Sequence, residues 1–213
     1  MKAESLIFDI DGTLWDSRAL VAEGYNIQLC REGLEHLSVT AEDLLPLFGK
    51  VMTEIADVIF EEVPPEQRYA LMERCMATEN RYLHDNPCKI GYEGIKEVLE
   101  QLAKSHRLFI VSNSQCGYPE LCMEKLGLTP YIQGHLCFGD TGTEKGETIR
   151  RLMQTHNITS AVYIGDTQGD LEAARQAGIP FVFASYGFGA PESWEAKVET
   201  PEQLLQLFSQ EVL

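Results

Sequence analysis

The stretch SLIFDIDGTLWDS, residues 5–17, ends an apolar run on two aspartates, Asp9 and Asp11, separated by one residue and followed at once by Gly12. Asp166 and Asp170 follow a later apolar run, Ser112 and Asn113 follow another, and Lys145 begins a helical pattern. Carboxylates crowd together only where a cation neutralises them. An oxygen-only set suits a hard ion such as Mg²⁺, which keeps several waters and binds through one or two carboxylates and a substrate phosphate. Beside such an ion an aspartate can approach a phosphate that would otherwise repel it, and can attack phosphorus as a covalent nucleophile. Ser112 and Lys145 would then hold the phosphoryl oxygens as charge redistributes. Each residue also has an ordinary role: an Asp before Gly makes a turn, Ser112 can cap a helix, and Asp166 and Asp170 can complement a helix dipole.

The elements that must position these residues are read from periodicity. Short apolar runs at Leu6–Ile10, Leu108–Val111, Leu136–Phe138, Val162–Ile164 and Phe181–Ala184 predict buried strands of a parallel sheet. Helical spacings lie between the later runs, at Ile95–Leu102, Leu121–Leu126 before Gly127, Ile149–Met153, and Leu171–Ala177 before Gly178. The alternation predicts a doubly wound α/β domain. Residues 15–88 differ, with helical patterns only, over Ser17–Arg31, Ala41–Leu45, Val51–Phe60 and Pro65–Leu83. The expected organisation is an α/β core of residues 1–14 and 89–213 with an all-α module, 15–88, inserted after the first strand. In such a sheet ligands bind beyond the carboxyl ends of the strands. Asp9, Asp11, Ser112, Asn113 and Asp166 all fall at such ends, and that convergence outweighs the ordinary reading of each.

Composition narrows the function. The chain has 213 residues, 44% of them hydrophobic, and a formal net charge of -16. That charge argues against a general nucleic-acid binder, whose affinity comes from clustered Lys and Arg. An anionic substrate must be held locally, by a metal, a lysine or backbone N–H groups. No apolar run reaches the ~20 residues of a membrane span, and Glu4, Asp9 and Asp11 interrupt the only apolar stretch near the N-terminus. The expectation is a cytoplasmic protein without membrane or nucleic-acid partners. Cys30, Cys75, Cys88, Cys116, Cys122 and Cys137 form no CxxC pair or metal-ligand spacing, and are expected to be reduced and mostly buried.

Asp9-Ile10-Asp11-Gly12-Thr13-Leu14, Ser112-Asn113, Lys145, and Gly165-Asp166 with Asp170 resemble the four motifs of the haloacid dehalogenase superfamily of phosphohydrolases. The helical insert is similar to that family's cap, and Gly165 through Gly178 to the SYGFG stretch at 185–189 is similar to its phosphoglycolate phosphatase-like branch. The resemblance implies a Rossmann-like core and a Mg²⁺-dependent phosphatase that acts on a small phosphorylated metabolite through an aspartyl-phosphate, as monomer or homodimer. It implies Asp9 as nucleophile and Asp11 as general acid and then base, with a pKa raised by neighbouring carboxylates. Mg²⁺ would be held by the Asp9 and Asp166 carboxylates and the Asp11 backbone carbonyl, with Asp170 supporting through its waters. Ser112 and Lys145 would bind the phosphoryl group, assisted by backbone N–H groups near Gly12 and Asn113, and the Thr13 hydroxyl would steady the loop.

The chain departs from the family where many relatives continue the lysine motif as Lys-Pro-x-Pro; here residues 144–151 read EKGETIRR, so Lys145 rests on order and spacing. Gly49-Lys50 resembles the cap loop that faces the active site, where Lys50 could touch the leaving group or simply be solvated. The cap is expected to close as a lid on linkers near Trp15–Ser17 and Lys89–Gly91, with Asp16 and Ser17 capping its first helix and Trp15 packing. Rival readings remain open: a phosphomutase of the same superfamily, a phosphonate hydrolase using Lys50, or a non-catalytic phosphoacceptor or binding protein. Asp11 argues against a dehalogenase and against a phosphoacceptor receiver, neither of which carries an acid two residues after the acceptor.

Overall fold

The computed structural model describes residues 1–209. In chain order the elements are β1 (Ser5–Phe8), α1 (Arg18–Arg31), α2 (Ala41–Leu44), α3 (Met52–Ile59), α4 (Pro65–Asp85), α5 (Ile95–Leu102), β2 (Arg107–Ser112) and α6 (Tyr118–Leu126). They continue as β3 (Ile132–Cys137), α7 (Phe138–Thr141), α8 (Lys145–Thr155), β4 (Ala161–Gly165), α9 (Gln168–Ala177), β5 (Phe181–Ala184), β6 (Ala196–Val198) and α10 (Gln203–Phe208). The six strands form one parallel sheet in the order β3-β2-β1-β4-β5-β6.

The sheet is apolar on both faces because strand side chains alternate. Leu6, Phe8, Leu108, Ile110, Val162 and Ile164 pack into one cluster, while Ile7, Phe109, Val111, Tyr163, Phe181 and Phe183 pack into a second. Two buried faces are what a parallel sheet flanked by helices requires. β1 is central, so its carboxyl end opens at the switch point between β2 and β4, where the chain leaves the sheet in opposite directions.

The insert is helical as expected and packs on itself through α1 and α4. Gly24 permits the crossing, since a Cβ there would lie 2.7 Å from the Glu79 Cα. The chain leaves and rejoins the sheet through two segments that pair antiparallel: the Asp16 N–H donates to Ile90 O at 2.8 Å and the Tyr92 N–H to Leu14 O at 3.1 Å. This pairing joins the two crossings into one narrow connection.

Several expectations need correction. β1 ends at Phe8 rather than Ile10, although the Asp9 N–H still donates to Ile164 O. β3 begins at Ile132, ahead of the apolar run, because as a partly exposed edge strand it carries Gln133 and His135. β6, α7 and α10 are short and were not anticipated. Half of the cysteines, Cys30, Cys88 and Cys116, are exposed, and all six are free. No helix among the described residues is long and apolar enough to cross a membrane.

Candidate active site

Asp9 leaves β1 3% exposed, and its Oδ1 accepts a hydrogen bond from Lys145 Nζ at 2.8 Å. Lys145, the first residue of α8, also donates to Asp170 Oδ1 at 2.7 Å, so one buried ammonium bridges two carboxylates. Asp170 Oδ2 caps α9, accepting from the Thr167 N–H at 3.0 Å and the Thr167 hydroxyl at 2.7 Å. The lysine and these donors hold the Asp170 carboxyl below its usual range despite burial.

Asp166 is wholly buried, and its Oδ2 accepts from the Phe188 N–H at 2.6 Å and the Gly189 N–H at 3.2 Å. Burial first, then the charge of Asp170, pushes its pKa up to about 7. Burial, followed by Asp170, likewise raises Asp9, against the pull of Lys145. Close packing in this corner demands glycine at position 12, whose φ is +82° and whose added Cβ would collide with the Asp166 carboxylate.

Asp9, Asp166 and Asp170 each offer an oxygen within 4.8 Å of the others. Three carboxylates crowd beside one ammonium, which pairs with only two of them, and the buried Asp166 Oδ1 has no hydrogen-bond partner. A desolvated excess of negative charge with an unpaired oxygen is unfavourable unless a cation completes it. The all-oxygen donor set fits a hard divalent ion.

Asp11 is held by three donors on one oxygen: Trp15 Nε1 at 2.8 Å, the Ser17 hydroxyl at 2.6 Å and the Tyr118 hydroxyl at 2.9 Å reach its Oδ1. Its pKa is raised, as expected, but by burial rather than by neighbouring carboxylates, and the three donors oppose the rise. Two assignments change with this. Ser17 precedes α1 without a side-chain capping bond, while Asp16 Oδ1 accepts from the Arg18 N–H at 3.3 Å, and Trp15 binds Asp11 as well as packing. Tyr118, unanticipated, stacks edge-on to Trp15 with centroids 5.3 Å apart. A tyrosine after an ordinary Gly-Tyr-Pro helix start carries no local signal of this role.

Asp9, Asp11, Ser112, Asn113 and Lys145 line one cavity, roofed by cap residues including Phe48, Lys50 and Glu79. It holds about 50 Å³, room for a few waters at about 10–15 Å³ each. Ser112 is buried at the end of β2, its hydroxyl accepting from the Ser114 N–H at 3.2 Å. The Asn113 side chain donates to Gly49 O on the cap at 2.7 Å. Lys50 is 46% exposed with its ammonium 3.9 Å from Glu54. The Gly12 N–H itself donates to Trp15 O at 2.9 Å, and the fully buried Thr13 hydroxyl, expected to steady the loop, has no partner. The loop is steadied by backbone bonds to Ile10 O and by the Tyr186 hydroxyl donating to Thr13 O at 3.0 Å.

The family model for haloacid dehalogenase-like hydrolases matches residues 6–184. A phosphoglycolate phosphatase of Xanthomonas campestris is 30% identical over 212 residues, 94% of each chain. A pyrophosphatase of Listeria monocytogenes is 26% identical, covering 90% of this chain and 87% of its own. The crystal structure of a predicted phosphoglycolate phosphatase from Haemophilus somnus superposes with a TM-score of 0.83 at 18% identity, covering 97% and 98%. Sheet order, inserted helical cap and family match agree, and the chain belongs to the haloacid dehalogenase-like hydrolases.

Proposed function

We propose that this hydrolase is a Mg²⁺-dependent phosphatase of the phosphoglycolate phosphatase-like branch, acting on a small phosphorylated metabolite through an aspartyl-phosphate on Asp9. Its standing as a phosphatase rests on the family and its phosphatase relatives. The observation that carries the mechanism is that Asp9 and Asp11 line one cavity with different partners, a lysine for the first and three neutral donors for the second.

Lys145 favours the ionised form of Asp9, which a nucleophile needs, and leaves its Oδ2 to attack phosphorus. As the Asp9 O–P bond forms and the P–O bond to the leaving group breaks, Asp11 gives its proton to the departing oxygen. Burial lifts the Asp11 pKa towards that task, and the donors on Oδ1 aim Oδ2. Asp11 then takes a proton from the water that attacks phosphorus, breaking the Asp9–phosphoryl bond and freeing phosphate. Ser112 and Lys145 hold the phosphoryl oxygens, and the cap excludes bulk water. Asp9, Asp166 and the Asp11 carbonyl would hold Mg²⁺, supported by Asp170. When bound, the ion neutralises the carboxylates and offsets charge on the phosphoryl oxygens.

Phosphate release from a panel of small phosphate monoesters, with and without Mg²⁺, tests this. Metal-dependent release that disappears in Asp9→Asn with the fold intact supports it, and a fully active Asp9→Asn sinks it.

A further inference from the structure

One carboxyl in the cavity takes no part in that chemistry. Glu79, on α4, is 2% exposed and lines the cavity with Asp11 and Ser112. Its Oε2 is buried without a hydrogen-bond partner. Such an atom is costly unless something enters to satisfy it. The backbone fixes it there, because the α1–α4 crossing at Gly24 presses directly on Glu79.

The surroundings define what could enter. Val21, Leu44, Leu47, Met52 and Ile55 make the cap side of the cavity apolar. Its lining cations are Lys50 and Lys145. Lys145 bridges Asp9 and Asp170 at the phosphoryl end of the cavity, and Lys50 lies half-exposed beside Glu54. A leaving group with a carboxylate or second phosphate would place a desolvated anion among these apolar side chains without a buried cation to meet it. A hydroxyl would supply the donor that Oε2 lacks.

We propose that Glu79 forms the leaving-group subsite, where Oε2 accepts a hydrogen bond from a hydroxyl of a small, otherwise uncharged phosphorylated alcohol. The assignment rests on the phosphatase reading. It separates this chain from the phosphoglycolate and pyrophosphate activities in its relatives' names, both of which release anionic leaving groups.

The test is kcat/KM, with Mg²⁺, for glycerol 1-phosphate, propyl phosphate and phosphoglycolate, in the native enzyme and in Glu79→Gln and Glu79→Leu. The native enzyme should prefer glycerol 1-phosphate to each of the others by at least about tenfold, because a site with a buried polar group rejects analogues that leave it unpaired. Glu79→Leu should bring glycerol 1-phosphate and propyl phosphate to within about twofold of each other, whereas Glu79→Gln, which keeps a buried acceptor, should retain the native preference. Thermal melts establish that both variants fold. A native preference for phosphoglycolate, or native ratios retained in folded Glu79→Leu, overturns the subsite while leaving the phosphatase reading intact. Absence of metal-dependent release from all three esters overturns both.

Discussion

Lys145 Nζ lies 2.7 Å from Asp170 Oδ1, and neither side chain is more than 5% exposed. The same ammonium serves Asp9 at 2.8 Å, so Lys145→Met leaves two buried carboxylates without their cation. Removing one partner of a buried pair costs about 3–5 kcal/mol. Urea unfolding of metal-free protein should show a loss of that order, with kcat lowered about 10³-fold. Asp170→Asn should cost less after Lys145→Met than in the native chain, since the two act as a unit. Additive losses in that double-mutant cycle would contradict the coupling.

Asp166 makes stability depend on metal and pH. Its folded pKa of about 7 lies above that of an unfolded carboxyl, about 3.9, so between those values the folded state binds more protons. Stability of the metal-free protein therefore has a contribution present at low pH and lost as pH rises to about 7. Asp166→Asn should raise the metal-free melting temperature at pH 8. With Mg²⁺ the order should reverse, because a ligand at 100 times its Kd adds about 2.7 kcal/mol to a chain that binds it. A native melting temperature indifferent to Mg²⁺ would argue against the ion.

The legible part of this site was what strand ends carry in one continuous run. Asp9 and Asp11 close an apolar segment before Gly12, and Asp166 does the same after β4, so their convergence followed from the sheet. Lys145 could be placed by order alone. Trp15, Ser17 and Tyr118 were not readable as Asp11 partners, because each sits in a local pattern that packing or capping already explains. Their meeting depends on how α6 lies against the paired connecting segments. Glu79 falls within an ordinary polar helix, and only the crossing at Gly24 turns it inward. The first half of β3 and all of β6 escaped because polar edge residues and a length of three remove the apolar signal.

The three donors on Asp11 predict a split in kinetic constants. Tyr118→Phe keeps the ring against Trp15 but deletes one bond to Oδ1, and Trp15→Phe deletes another. Both should lower kcat, each about tenfold, with KM little changed, because Asp11 acts in the transition state rather than in binding. The double variant should fall further. A rise in KM at constant kcat would instead mean that these residues shape the cavity.

The cap docks on the core through Asn113, whose amide donates to Gly49 O at 2.7 Å, while Phe48 meets Phe188 edge-on at 5.5 Å. Phe48, Gly49, Lys50 and Asn113 line both the cavity over Asp9 and the wider cleft beside it, so substrate entry is expected to need this contact to open and reclose. Asn113→Ala removes one bond of about 0.5–1.5 kcal/mol from the closed state alone, which weakens closure by about 2- to 10-fold. KM should rise by that order, and amide exchange should quicken at residues 48–52 while the α1–α4 crossing stays protected. Gly49→Ala should act in the same direction by another route, since φ at +88° disfavours a Cβ and Thr167 Cγ2 would lie only 3.3 Å from it. Hydrogen-exchange mass spectrometry distinguishes this from general destabilisation. Faster exchange confined to the docking loop supports a lid latched by Asn113, whereas unchanged exchange there with KM unaltered would show that the contact does not govern closure.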